Sequence, residues 1–189
     1  MVSIPIGILE LKSCINGLHK LSFKEINEKS LIDQIEYDLN KSIFIIQPSE
    51  EPSGPIHETI DYLKNYFYYM NDENINHPQI CWSSICNTKD SFTENVLKTL
   101  VDKIKIGEKV SYKNLAILSG NSEACRAVGS VMRRNKIPLI IPCHRVIKTD
   151  ESLGNYSGGT GVNLKKWLLE HELKICNTYI KIKKKNKNK

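Results

Sequence analysis

Between Ser91 and Arg134 the chain carries a succession of helix start and stop signals, and this stretch limits the fold more than any other. Ser91-Phe92-Thr93-Glu94 fits a capping box, in which Ser and Glu satisfy each other's free backbone N–H groups. Val96, Leu97, Leu100, Val101 and Ile104 follow as an apolar stripe at helical spacing, and Gly107 closes the element. Ser111 is the N-cap of a short helix predicted over 112–118, with Gly120 past its end. A further helix is predicted over 123–133. Two helices joined by a tight turn with a glycine have helix-turn-helix spacing, which DNA-binding proteins share with many helical hairpins that bind nothing. The second helix, "EACRAVGSVMRR", is rich in small residues: Ala124, Ala127, Gly129 and Ser130. Such a helix packs closely on a neighbouring helix or approaches a DNA groove. In the second case Arg126 is the one long cation among small side chains, and Arg133 and Arg134 would reach phosphates.

The first part of the chain reads as mixed α and β. "IGILELK" and "GLHKLSF" are predicted to pair as a hairpin, and "SIFIIQP" is a third extended run. A helix is predicted from Pro55 to Met70, with Ile56, Ile60, Leu63 and Phe67 on one face. The polar stretch "NDENINHPQICWSSICNTKD" has no period and reads as a connector. The expected organisation is an N-terminal α/β domain over 1–75, a linker over 76–90, a C-terminal domain over 91–176 and a basic tail over 177–189.

At 189 residues, with 40% hydrophobic and 25% charged side chains, the chain can bury a core of ordinary globular type. No apolar run approaches the roughly eighteen residues of a membrane span, and the N-terminus lacks the basic and apolar regions of a secretory signal. Six scattered cysteines are too few for a disulfide scaffold, so reduced thiols inside a cell are expected. The net charge of +6 comes from the tail: "KIKKKNKNK" holds six lysines, and the body is near neutral. That run is read as a disordered, solvated tail, and basicity alone does not argue for nucleic acid.

"IIPCHRVI" sets Cys143 directly before His144, after a proline and among apolar β-formers. A free thiol is mostly protonated at neutral pH, so a nucleophilic cysteine needs a base or a positive field. Neighbouring side chains on a strand point to opposite faces, so adjacency does not bring the two together. A bend after Pro142 or a bridging water is required. His144 would also need an acceptor on its second ring nitrogen, for which Glu170 and Glu172 are candidates. The residues alone leave open a nucleophile and an inert core thiol. A metal site is disfavoured, because no Cys-x-x-Cys or His-x-His lies nearby. "NYSGG" (Asn155 to Gly159) offers close backbone approach and reads as a lid over a pocket.

Taken in order, "SFTENVLKTL", "IGEKVSYKNLAILSGN", "RAVGSVMRRN", "IPLIIPCHRVI", "LGNYSGG" and "KKWLLEHE" resemble the O6-alkylguanine-DNA alkyltransferase family, also called methylated-DNA–protein-cysteine methyltransferases. The resemblance covers Ser91 to Glu172 almost without a break and is weaker at "IGILELKSCINGLHKLSF". It implies an α+β fold: a ribonuclease H-like α/β domain followed by a mostly helical domain with a helix-turn-helix. It implies single-turnover DNA repair, in which Cys143 takes the alkyl group from O6-alkylguanine, with O4-alkylthymine as a second substrate, and is consumed. His144 would act as base through water, with Glu172 orienting it and Asn135 at the hinge before the active-site segment. Tyr112 would crowd a phosphate and donate to the purine. Arg126 would fill the space left by the flipped nucleotide. Val146, Tyr156, Ser157 and Gly158 would line the pocket. Thr93, Lys113, Asn121, Thr149, Ala124, Ala127, Gly129 and Arg133 would face the DNA.

The implied partner is double-stranded DNA, bound by a monomer inside the cell, in the nucleus if the source is eukaryotic. Some animal members hold a structural zinc. Cys14 and His19 match two of its ligands and His77 offers a fourth, but the first cysteine has no counterpart, so no cofactor is expected. Glu123 and Cys125 depart from the family's DNA-contacting helix. Two other classes stand beside this reading. One is a module that binds alkylated DNA without repairing it, although relatives of that kind replace the acceptor cysteine. The other is a Cys-His hydrolase, for which no oxyanion-hole motif stands out.

Overall fold

The computed structural model describes residues 1–26, 54–69, 76–86, 88, 91–156 and 161–187. The chain divides into two units: residues 1–81 together with 175–189, and residues 82–174.

The first unit is built on an antiparallel sheet of three strands in chain order, β1 (Val2–Ile4), β2 (Gly7–Cys14) and β3 (Gly17–Ile26). The predicted hairpin is β2–β3, with Cys14 opposite Gly17 at its turn. Val2, Ile4, Ile6, Leu9, Leu18 and Leu21 are buried. The predicted helix is present as α1 (Pro55–Lys64), continued by a π-helical turn, Asn65–Tyr69. Pro55 opens it, where a missing N–H costs nothing. Ile60, Leu63 and Phe67 are buried as the spacing requires, and Ile56 only in part. The extended run "SIFIIQP" lies outside the described residues.

Part of the stretch expected as a linker is packed. Ile80 bridges Leu18, Trp82–Ile85 forms a single helical turn (α2), and Cys81, Ile85 and Cys86 are buried. Four helical residues are too few to show a period, which is why its apolar side chains read as punctuation.

In the second unit α3 (Phe92–Lys103) starts where expected, with the Ser91 hydroxyl accepting from Glu94 N at 3.2 Å. Helix α4 (Tyr112–Leu118) starts likewise on Ser111, which accepts from Asn114 N at 3.0 Å. Helix α5 (Cys125–Arg133) follows after Gly120, whose φ of +88° suits a residue without a side chain. The run Ile137–Ile147 is not the extended segment that its apolar flanks suggest. Pro138 and Pro142 remove two donors from any ladder, and the chain folds back on itself: Ile141 N donates to Ile137 O at 2.9 Å. A 3₁₀ turn, Cys143–Arg145, comes next, and only Val146–Ile147 (β5) is strand. β5 pairs in parallel with β4 (Val110–Ser111).

Helix α6 (Val162–Lys187) ends the chain. It continues into the lysine-rich tail as far as Lys187, where a disordered segment was expected. Lysine is a good helix former, and a charge run does not stop a helix already nucleated upstream. Among the described residues, no helix is long and apolar enough to cross a membrane.

Candidate active site

The short β4–β5 pair fixes the site. Val110 sits opposite Val146 and Ser111 opposite Ile147, so Tyr112, the first residue of α4, is held beside the Cys143–Arg145 turn. A cavity of about 790 Å³ opens there, and Tyr112, Gly129, Arg133, Asn135, Cys143 and Tyr156 are among its lining residues. That volume falls within the roughly 300–1,000 Å³ of small-molecule sites.

Cys143 lies at the wall of this cavity with its thiol held by Asn135, whose Nδ2 is 3.1 Å from the sulfur. The same Nδ2 donates to Ile141 O at 2.8 Å, and Asn135 Oδ1 accepts from Ile137 N at 3.1 Å. One side chain therefore closes the folded-back loop and holds the Cys143 thiol. Burial pushes the Cys143 thiol pKa up, and Asn135, the Tyr156 hydroxyl and the Lys165 ammonium oppose it without reversing it. At rest the group is a thiol.

His144 is fully buried behind the turn. Its Nε2 lies 2.7 Å from Glu172 Oε1. Its Nδ1 is buried with no hydrogen-bond partner among the described residues. Glu172, also fully buried, gathers Arg145 Nε at 3.0 and 3.1 Å, Arg145 Nη2 at 2.9 Å and Gly107 N at 3.1 Å. Arg145 Nη1 donates to Ile104 O at 2.6 Å. Burial works to raise the Glu172 carboxyl, but the charges and hydrogen bonds of His144 and Arg145 hold it well below the carboxylate range. Arg145 alone matches that negative charge, and Lys165 adds a second cation nearby. A third positive charge on His144 is therefore disfavoured. Burial, with Arg145 and Lys165 in support, lowers the imidazole pKa against the pull of Glu172. The carboxylate accepts from Nε2–H, which leaves Nδ1 as a free lone pair. A neutral imidazole with one buried, unused acceptor is in the state required to take a proton.

Lys165 has no exposed surface. Its ammonium donates to Val146 O at 2.6 Å and to Leu153 O at 2.5 Å. Burial brings its pKa down to about 8, with Cys143 opposing, so it stays largely charged at neutral pH. It ties β5 to the loop that carries Asn155 and Tyr156 into the cavity. Burial raises the Tyr112 and Tyr156 phenols as well, with Cys143 adding to both, so each keeps its proton.

Of the residues expected in the site, Cys143, Tyr112, Asn135, Tyr156, Gly129, Arg133 and Thr149 line one cavity, and His144 and Glu172 back it. Val146 contributes its carbonyl to Lys165. Arg126 and Ala127 are exposed on α5, and Ala124 is half-buried at its N-terminus. Thr93, Lys113 and Asn121 are not among the cavity-lining residues. Ser157 and Gly158 lie outside the described residues. Arg145, Lys165 and Lys148 were missed as site residues. The signal for Lys165 was present: Lys165, Leu168 and Glu172 recur at i, i+3 and i+7, which puts two charges on a buried helix face. Cys14, His19 and His77 are not brought together. Cys14 contacts Cys81, the His77 ring packs edge-on against Tyr62, and among the described residues no group of three metal-binding side chains occurs.

The family described as "6-O-methylguanine DNA methyltransferase, DNA binding domain" matches residues 91–174. A methylated-DNA–protein-cysteine methyltransferase of Rattus norvegicus is 38% identical over 174 residues, covering 89% of this chain and 78% of the relative. The protein of that name from Homo sapiens is 36% identical over 176 residues, covering 89% and 76%. Among solved structures, Mycobacterium tuberculosis OGT in complex with DNA superposes with a TM-score of 0.63 at 28% identity, over 92% of this chain and 91% of that one. The O6-methylguanine-DNA methyltransferase of Pyrococcus kodakaraensis gives 0.53 at 25%, over 91% and 99%.

Proposed function

The chain belongs to the methylated-DNA–protein-cysteine methyltransferase family, and on that premise we propose that Cys143 is the cysteine on which its reaction ends. The protein repairs DNA by transferring an alkyl group to a cysteine of its own chain. The proposed substrate is O6-alkylguanine in duplex DNA, with O4-alkylthymine as a second, and the proposed state is a monomer.

One observation carries the assignment: the unpartnered Nδ1 of a neutral His144, backed by a Glu172 whose charge Arg145 already matches. Nδ1 takes the Cys143 proton through a water molecule. The sulfur attacks the alkyl carbon, the carbon–oxygen bond breaks, and the guanine departs with a proton from Tyr112. Both ends of the transfer have a group in the required state, since the imidazole is free to accept and the phenol still holds its proton. Among the described residues no group beside Cys143 would cleave the thioether formed, so each chain reacts once.

The reacting carbon is inaccessible in a stacked base. Extrusion costs about a few kcal/mol, less for a mispaired lesion. Arg126 and Ala127, exposed on α5, with the part-exposed Ala124 and Gly129, support this step: Arg126 would insert into the duplex and the small residues would lie against the minor groove. We read α4 and α5 as a helix-turn-helix and β1–β3 with α1 as a ribonuclease H-like layer. Tyr156, Ser157, Gly158 and the Val146 carbonyl would line the pocket around the base. Thr93, Lys113, Asn121, Thr149 and Arg133 would contact the strand. Asn135 aims the sulfur.

The test is mass spectrometry of the chain after incubation with an O6-methylguanine duplex. One methyl group on Cys143 is expected. A methyl group on another cysteine, or on none, overturns the proposal, and sustained turnover of an acyl substrate would favour a hydrolase instead. Cys143→Ala should abolish transfer and retain binding of the lesion duplex.

A further inference from the structure

The sulfur of Cys14 lies 3.5 Å from the sulfur of Cys81, 67 positions away in the chain and outside the alkyl-transfer site. The approach is set by backbone. Leu18 N donates to Gln79 O at 2.8 Å and Cys81 N donates to Leu18 O at 3.0 Å, so residues 79–81 run alongside the start of β3. Gly17, opposite Cys14 at the hairpin turn, makes room for them. A Cβ there would meet Gln79 O at 2.6 Å and Cys81 N at 2.8 Å, and its φ of +122° disfavours any side chain. The two thiols are thus neighbours because a two-bond ladder holds them, with a glycine as its condition.

Their exposure differs in a useful way. Cys14 is half-buried and reachable, whereas Cys81 is 2% exposed. We propose that Cys14 and Cys81 are an oxidisable dithiol that exchanges with low-molecular-weight disulfides, Cys14 as the attacking thiol and Cys81 as the resolving one. The Cys14 thiolate attacks a small disulfide, one sulfur–sulfur bond breaks, and a small thiolate leaves with a mixed disulfide behind on Cys14. Cys81 loses its proton, attacks Cys14 Sγ and expels the second small thiolate. Two protein thiols are oxidised to one disulfide, one small disulfide is reduced to two thiols, and protons balance between them.

The product is a staple across a long stretch of chain. Closing a loop of this length removes conformational freedom from the unfolded state, so the oxidised form should be the more stable one. The pair lies within the first unit, and Cys143 lies in the second. Cys143 is buried and Cys14 is not, so the same oxidant reaches Cys14 before Cys143. Oxidising equivalents are taken up without spending the alkyl acceptor.

The experiment incubates the full chain with excess oxidised glutathione, quenches in acid, blocks remaining thiols with N-ethylmaleimide and digests without reductant. The expected result is a linked Cys14–Cys81 peptide, with neither Cys14 nor Cys81 labelled; glutathione on the exposed Cys125 is a separate reaction that the digest resolves. The thermal midpoint should rise by several degrees and return on adding dithiothreitol. Cys81→Ser should stop the reaction at glutathione on Cys14, with no rise in midpoint, and Cys14→Ser should leave Cys81 fully labelled. Wild-type chain that keeps both residues labelled, or carries glutathione on Cys14 beside a labelled Cys81, overturns the proposal.

Discussion

Replacing Glu172 by Gln tests the buried network most directly, because the change preserves shape and removes one charge. Glu172 accepts from four donors: His144 Nε2, Arg145 Nε and Nη2, and Gly107 N. An amide offers one acceptor oxygen and turns an NH₂ group toward donors it cannot satisfy. The Arg145 guanidinium, 4% exposed, is then a buried cation without its anion. Breaking a buried pair from one side costs about 3–5 kcal/mol. At roughly 2–4 °C per kcal/mol for a chain of this size, the melting midpoint should fall by about 6–20 °C at neutral pH. The loss should also depend on pH. The Glu172 carboxyl sits well below its unfolded value of about 4.3, so its contribution is complete above that value and is lost as pH falls through the folded pKa. The gap between wild type and E172Q should therefore be full at pH 7 and narrow below about pH 4. The same change removes the anion that fixes the His144 tautomer, so single-turnover transfer from an O6-methylguanine duplex should slow by about 10²-fold or more. Thermal unfolding followed by circular dichroism and rapid-quench transfer read the two effects. A midpoint within about 2 °C of wild type together with an unchanged rate would refute the reasoning.

Lys165→Met keeps the length of the side chain but leaves Val146 O and Leu153 O without their donor, at about 1–3 kcal/mol for each buried carbonyl. It should lower the midpoint and, with the cation gone, move the alkaline limb of the transfer–pH profile upward, while Lys165→Arg recovers the profile in part. Asn135→Ala removes the donor on the Cys143 sulfur, so transfer should slow by roughly 10–100-fold, the equivalent of one charge-assisted hydrogen bond of about 1.5–3 kcal/mol. An unchanged rate would mean that the amide only closes the loop. Arg126→Ala, at an exposed position on α5, should leave the unfolding free energy within about 0.5 kcal/mol of wild type. It should slow transfer from duplex DNA and spare transfer from free O6-benzylguanine. Equal loss on both substrates would refute a role in base extrusion.

The parts legible in the sequence are those set by neighbours three or four residues apart. Ser91 with Glu94 and Ser111 with Asn114 mark helix starts through one local hydrogen bond each, and both helices begin where those residues place them. The hairpin β2–β3 follows from its alternation and glycine turn. The illegible parts are set by distance. Ile137–Ile147 has strand composition, yet two prolines and the contacts of Asn135 fold it into turns, with Leu139 at a φ of +73° that no local pattern announces. Arg145 could not be placed because its partner, Glu172, lies 27 residues away. The lysine tail read as disordered because charge was weighed above helix propensity.

The electrostatics of the site also argue for a protein that reacts once. A nucleophile used repeatedly gains from a depressed pKa, since idle thiolate is regenerated at each cycle. A thiol that is consumed loses its function to every stray electrophile it meets. On the proposed assignment Cys143 has the second design: burial pushes its thiol pKa up, and Asn135, Tyr156 and Lys165 only moderate that shift. The groups that would ionise it are idle at rest, with the His144 lone pair unengaged and the Lys165 ammonium donating to two carbonyls. A purine seated in the cavity excludes bulk water and strengthens every charge interaction around the sulfur. Reactivity is then conditional on the substrate, which follows from holding the thiol neutral at rest and storing its base in an uncharged imidazole.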